Sequence, residues 1–265
     1  MASNSFTVLM VGDVVGQAGL RALTLELAKL RKHYGADFVV VNGENADAGF
    51  GMSPENAASI YAAGADVITT GNHVWQHKDI AQLLESDSRI LRPANYPGRL
   101  SGSGLAVCET GQGTIAVMHL QGRTRMPVTD CPFRKSRELL KSIKNQCHAV
   151  VCDFHAEASD EKEALAHYLD GQLALLCGTH THVQTADERI LSRGTAYITD
   201  LGMTGPDDSV IGFRTDISIR RSLTQMPLKN EVSNEAATVH GVAVSIDMDR
   251  QVATSIERFK AQPGV

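Results

Sequence analysis

No stretch of this chain approaches the ~18 consecutive apolar residues of a membrane-spanning helix, and the N-terminus has no basic head followed by an apolar run. Neither a membrane location nor export is therefore expected. The five cysteines, Cys108, Cys131, Cys147, Cys152 and Cys177, are odd in number and contain no C-x-x-C pair. They read as reduced core residues of a cytoplasmic protein rather than as a disulfide framework. A broad basic footprint is missing too: 25 Lys and Arg stand against 30 Asp and Glu, for a net charge of −5, and they are scattered. Duplex nucleic acid is a poor partner for such a surface, whereas a small anionic substrate held by a metal is not excluded. Internal repeats, linkers and low-complexity segments are also lacking. With 265 residues, 43% of them hydrophobic and 21% charged, the chain can bury a sizeable core, and a single α/β domain spanning 1–265 is the expectation.

What the chain does have is a series of apolar runs that each stop at a polar, ligand-type residue. Leu173 to Cys177 ends in Gly178-Thr179-His180-Thr181-His182. On an extended segment that i, i+2 spacing aims both imidazoles the same way, and two neutral imidazoles aimed at one point make half of a metal site. By themselves the two histidines could equally be loop residues. The first run, Phe6 to Val11, is apolar enough for a strand covered on both faces, and it stops at Gly12-Asp13. Leu20, Leu23, Leu27 and Leu30 then recur at helical spacing, completing a β-α unit. Gly12, Gly16 and Gly19 follow G-x-x-x-G-x-x-G rather than G-x-G-x-x-G, so a dinucleotide fingerprint is a weak reading.

The second run, Phe38 to Val41, ends in Asn42-Gly43-Glu44-Asn45, after which Ser53 and Pro54 suit the N-cap and first turn of a helix to about Ala63. The third, Val67 to Thr70, runs into Gly71-Asn72-His73, with Ile80, Leu83 and Leu84 on the helix that follows. Any one of these ends taken alone is a turn, because Asp, Asn and Gly are common turn residues. Three in succession place polar donors on one edge of a sheet, where open α/β folds bind their ligands.

Further on, Leu105–Cys108 and Thr114–Met118 flank Gly111-Gln112-Gly113 and suggest an antiparallel hairpin. His119, at the end of its second strand, reads as structural. The loop from Gly122 to Phe133, with Arg123 and Arg125, is long enough to cover a pocket, and a helix is expected around 138–144. His148 to Cys152 forms another buried run ending in Asp153-Phe154-His155, with a helix from Glu161 to Leu169 after it. Thr195 to Thr199 leads to Asp200-Leu201-Gly202-Met203-Thr204-Gly205-Pro206, after which a polar, weakly patterned region extends to about Ala237. Val239–Ile246 and Val252–Phe259 alternate as an antiparallel pair and look like the edge of a second sheet.

Asp13, Glu44, Asn45, Asn72, His155, His180 and His182 together form an oxygen and nitrogen donor set without cysteine. Seven donors exceed one tetrahedral ion but suit two ions of zinc, manganese or iron type sharing a carboxylate, and Glu44 is the natural bridge. Paired ions are the usual device for hydrolysing phosphate esters.

The strings DVVG, NGEN, TGNHVW, DFHAEA, GTHTHVQTAD and YITDLGMTGP, in this order from Phe6 to Pro206, resemble the calcineurin-like metallophosphoesterase superfamily. Within it they look like the bacterial YmdB-like branch of cyclic-nucleotide phosphodiesterases. The resemblance implies a four-layer α/β/β/α sandwich of two mixed β-sheets. It implies one metal on Asp13, Glu44, Asn45 and His182, and another on Glu44, Asn72, His155 and His180. It makes His73 the general acid for the leaving oxygen and a metal-bridging hydroxide the attacking group, with 2',3'-cyclic nucleotides as substrate. Departures from the superfamily pattern are visible. Asp13-Val14-Val15 lacks the histidine of D-x-H, and Glu44 stands where the bridging acid is usually Asp. Asn45 is the substitute ligand, and iron or manganese becomes at least as plausible as zinc. A phosphomonoesterase, a nuclease, or a slow regulatory protein binding a phosphate ligand remain alternatives, and a homo-oligomer stays open.

Overall fold

The computed structural model describes residues 5–264; the expected domain limits, 1 and 265, lie outside them. Strands β1 (Ser5–Val11), β3 (Phe38–Asn42), β4 (Val67–Thr69) and β5 (Ile90–Leu91) run parallel, linked by α1 (Gly16–Tyr34), α2 (Pro54–Ala63) and α3 (Ile80–Ser86). The α2 boundaries follow the sequence signals, with Ser53 and Asn56 forming a reciprocal capping box ahead of Pro54. A short β2 (Asp13–Val14) continues from β1 after Gly12 and pairs with β12 (Met203–Pro206). The second sheet holds β6 (Leu105–Thr110), β7 (Gly113–Gln121), β8 (Ala149–His155), β9 (Leu175–Thr179), β10 (Arg189–Ile190) and β11 (Ala196–Ile198) in the order β10-β11-β9-β8-β7-β6. Helices α4 (Pro132–Ser142) and α5 (Ser159–Leu169) belong to this half.

Three apolar layers follow from strands that are buried on both faces. Leu9, Val39 and Val41 pack outward on Leu23, Leu27 and Ile60, and alternate residues Val8, Met10 and Val40 share the central layer with Val117, Val151 and Leu175. On the far side Met118, Cys152 and Leu176 pack on Leu165 and Leu169. The result is the four-layer α/β/β/α sandwich of two mixed sheets.

Several expectations are corrected. The closing pair, β13 (Ala237–Asp247) and β14 (Val252–Ala261), is not the edge of a second sheet. β13 enters the first sheet between β12 and β1 and pairs antiparallel with β1 from Ser5↔Asp247 to Val11↔Gly241. Long-range pairing of that kind depends on packing partners that local alternation does not encode. The hairpin β6–β7 extends the second sheet. α4 starts at Pro132, a residue preorganised for the first helical turn, and ends at Ser142 rather than 144. The weakly patterned region from after Pro206 to Ala237 contains α6 (Thr215–Thr224), a helix with no buried residue and hence no apolar stripe facing a core. All five cysteines are free, but only Cys152 and Cys177 are buried.

Candidate metal centre

The donors meet where the two sheets' carboxyl edges face each other. Asp13 opens β2, Glu44 and Asn45 follow β3, Asn72 follows β4, His155 closes β8, and His180 and His182 follow β9. Asp13, Glu44 and His155 are fully or almost fully buried, and one ligand atom from each lies within 4.8 Å of the others. Glu44 Oε2 is 2.5 Å from His155 Nε2, which in turn is 3.1 Å from Asn72 Oδ1 and 3.1 Å from His180 Nδ1. Four donors thus converge on one point. His182 Nε2 lies 3.1 Å from the Asn45 side-chain amide, whose oxygen is 2.8 Å from His73 Nδ1. Asn45 is therefore engaged at both ends, and serving as a ligand requires its amide to turn or to release His73.

Each of the three histidines points one nitrogen inward and has an outward partner for the other. His155 Nδ1 faces Thr179 Oγ1 at 2.9 Å, His180 Nε2 faces Glu157 at 3.3 Å, and His182 Nδ1 faces the Ile211 carbonyl at 2.9 Å. Outward N–H donation of this kind fixes the tautomer and leaves the inner nitrogen as a lone pair, the arrangement of metal-ligating imidazoles. The inward nitrogens of His155 and His180, 3.1 Å apart, need either a proton or a metal ion between them, since two facing lone pairs repel.

The carboxylates give the same answer. Asp13 Oδ1 and Glu44 Oε2 are buried without a hydrogen-bond partner, the 2.5 Å approach of Glu44 to His155 lacking the alignment of one. Buried carboxylate oxygens left unpaired are costly unless a cation satisfies them. Burial pushes the Asp13 carboxyl up to about 6, against the pull of His182 and His155. Burial also opposes a charge on His155, yet Glu44, with Asp13 and Asp153, outweighs it and raises the imidazole to about 9. Burial, together with the His155 charge, pushes His180 down to about 3. Two acids sharing one imidazolium leave a pocket that calls for added positive charge, so the residues present fit metal ions.

The expected extended geometry of the two histidines is wrong. His180 has φ +102° and His182 φ +65°, a left-handed turn that non-glycine residues adopt only when their surroundings hold them there. The hold comes from residues that sequence reasoning did not assign. Asp200 Oδ2 accepts from the Thr181 amide at 3.1 Å, the Thr181 hydroxyl at 2.8 Å and Lys162 Nζ at 2.8 Å, and Asp200 Oδ1 accepts from the Gly202 amide at 2.9 Å. Lys162 and Asp200 are both wholly buried. A second buried set lies under His155: Thr179 Oγ1 donates to Asp153 Oδ1 at 2.7 Å, and Asp153 Oδ2 accepts from Asn42 at 3.0 Å and Thr69 at 2.5 Å. His119, with its ring buried, contacts the Asp153 carbonyl at 3.1 Å. The acid within the apolar run of β8 was the available signal for Asp153. Lys162, on a helix whose charged residues otherwise read as solvent-facing, gave none. Arg123 and Arg125 are exposed, and the Arg123 amide donates to Glu161 at 3.1 Å.

A two-sheet α/β/β/α sandwich with carboxylate, amide and imidazole donors converging at its strand ends defines a metallophosphoesterase-type protein. The chain belongs to the YmdB-like protein family, which matches residues 9–259. It is 42% identical over 252 residues to a 2',3'-cyclic-nucleotide 2'-phosphodiesterase of Bacillus subtilis (strain 168), covering 95% of this chain and 96% of that one. A phosphatase from Mycoplasma pneumoniae has a crystal structure that superposes with a TM-score of 0.93 at 36% identity, covering 98% of this chain and 94% of that one. A putative 5'-nucleotidase from Staphylococcus aureus shares the fold at 16% identity, with a TM-score of 0.61 over 96% of this chain and 54% of that one.

Proposed function

We propose that this protein is a phosphoric diester hydrolase with a two-ion centre, acting on small phosphodiesters and preferring 2',3'-cyclic nucleotides. The observation that carries the reading is the convergence of Glu44 Oε2, His155 Nε2, His180 Nδ1 and Asn72 Oδ1, with every histidine nitrogen outside that point already engaged. These four residues would hold one ion, and Asp13, Asn45, His182 and the other side of Glu44 the second. The oxygen-rich second set favours iron or manganese over zinc. When bound, the ions supply positive charge against the phosphoryl oxygens and acidify a water for attack.

The chain's own residues do the rest. The His73 amide donates to Glu44 Oε1 at 2.7 Å, and His73 Nδ1 is 3.2 Å from that oxygen and 2.8 Å from Asn45 Oδ1. As the general acid, His73 donates from Nδ1 to Glu44 Oε1 and presents its Nε2 proton to the leaving oxygen. Thr179, backed by Asp153, and Glu157 hold the His155 and His180 rings from their outer nitrogens, so that the inner nitrogens face the centre. The identity with the Bacillus protein supports the cyclic-nucleotide preference. The cytoplasm is the proposed location, since free cysteines suit a reducing compartment.

Purified enzyme should open 2',3'-cyclic AMP faster than it cleaves a mononucleotide or single-stranded RNA, and Asp13→Ala or His180→Ala should abolish turnover in a folded chain. Full turnover by either variant in a metal-analysed sample contradicts the assignment. Tight binding of the cyclic nucleotide with recovery uncleaved supports a regulatory protein instead.

A further inference from the structure

An aromatic wall stands beside His73 with no part in the chemistry above. Phe50 lies in the loop between β3 and α2, where its amide donates to the Asp47 carbonyl at 2.9 Å and the Asp47 amide donates to the Gly51 carbonyl at 2.9 Å. Phe50 is thus presented by a closed turn. Its ring stacks on Phe213 at 5.4 Å with 28° between planes, and meets the His73 ring edge-on at 5.0 Å and 80°. Phe213 is 7% exposed and packs against the loop at Gly49, where a Cβ would come within 2.9 Å of its ring. Phe50 nevertheless remains 40% exposed. Ile211, 51% exposed, sits two residues before Phe213 and holds His182 through its carbonyl. An apolar rim therefore borders a charged centre on the side marked by His73.

We propose that Phe50 is the nucleobase contact, and that this enzyme recognises the nucleoside half of its substrate through the Phe50 wall. The inference rests on the diesterase reading with His73 as general acid. A general acid lies next to the oxygen that leaves, so the leaving group extends on the His73 side. In a cyclic nucleotide that oxygen belongs to the ribose, which carries the base. A base has a flat apolar face, and a ring already backed by Phe213 offers it a surface at little ordering cost. Stacking of this kind does not select by hydrogen bonding and accepts any base, larger faces gaining more.

The test compares kcat/KM for 2',3'-cyclic AMP with kcat/KM for glycerol 1,2-cyclic phosphate, which has the strained diester and no base. Phe50→Ala should lower the ratio of the two about tenfold, within the roughly 5- to 150-fold that removal of a stacking ring costs. Phe50→Leu, which keeps an apolar contact with Phe213 but has no ring, should lower it as well, and Phe50→Trp should preserve it. A ratio that stays within about twofold of wild type in both ringless variants overturns the proposal. If wild-type enzyme cleaves both diesters while the ratio ignores Phe50, the base contact fails alone. If wild-type enzyme cleaves neither, the diesterase reading fails with it.

Discussion

Glu44 Oε2 and His155 Nε2 lie 2.5 Å apart, and neither side chain is exposed. The pair joins the first sheet to the second, because Glu44 follows β3 and His155 ends β8. Gly71 leaves the room for it. A Cβ at that position would overlap the Glu44 carboxylate and come within 2.5 Å of His155 Cδ2. Gly71→Ala should therefore push Glu44 aside by roughly an ångström, which costs about a hundredfold in kcat. Steady-state kinetics on a metal-reconstituted variant checks this, and near-normal kcat would show that Glu44 does not need its present place.

Metal binding should release protons. With Glu44 and the neighbouring acids prevailing over burial, His155 titrates at about 9 without metal, so at pH 7.5 it is protonated and must lose that proton to become a ligand. His180, pushed by burial down to about 3, is already neutral there and releases none. Affinity should rise about tenfold per pH unit up to pH 9 and then level off. Below about pH 6 the raised Asp13 carboxyl binds a proton too, and the dependence should steepen. Calorimetric titration in buffers of different ionisation enthalpy counts the protons; no release at pH 7.5 would contradict the Glu44–His155 pairing.

Thr181 links the two left-handed histidines to the buried Asp200. Removing Asp200 would leave Lys162 charged and unpaired in the core, at about 3–5 kcal/mol, and would confuse unfolding with loss of metal. Thr181→Val removes only the hydroxyl. It should weaken metal affinity about 10- to 100-fold, as loss of a ligand-supporting hydrogen bond does, while Thr181→Ser restores it. Dialysis against a graded chelator followed by elemental analysis reads the effect; equal affinities in all three proteins would show that the turn holds without the Thr181 hydroxyl.

His73 offers a test by leaving group. His73→Gln should lower kcat for 2',3'-cyclic AMP by about 10²- to 10⁴-fold with the metal content unchanged. The loss should be far smaller with bis-p-nitrophenyl phosphate, whose leaving group needs no proton. Equal losses on both substrates would assign His73 to binding rather than acid catalysis.

Much of this centre was legible because strand ends are local. An apolar run followed by Asp13, by Glu44-Asn45 or by Asn72-His73 states both the strand and the edge on which its donor falls, and β8 with His155 repeats the pattern. The parts that were not legible depend on distant partners. Lys162 reads as a solvated helix residue until Asp200, 38 positions later, is brought against it. The insertion of β13 beside β1 is set by burial on both faces, which alternation alone does not reveal. The left-handed φ values of His180 and His182 break the extended pattern their i, i+2 spacing suggests, and Asp200 supplies the reason.

The proposed hydrolysis needs two ions per chain. Elemental analysis of protein purified without added metal, divided by an independent chain concentration, measures this directly. A ratio near two, with iron or manganese dominant and falling in Asp13→Ala and His180→Ala, is the expected result. A wild-type ratio at or near zero in a preparation that still opens 2',3'-cyclic AMP at full rate would contradict it.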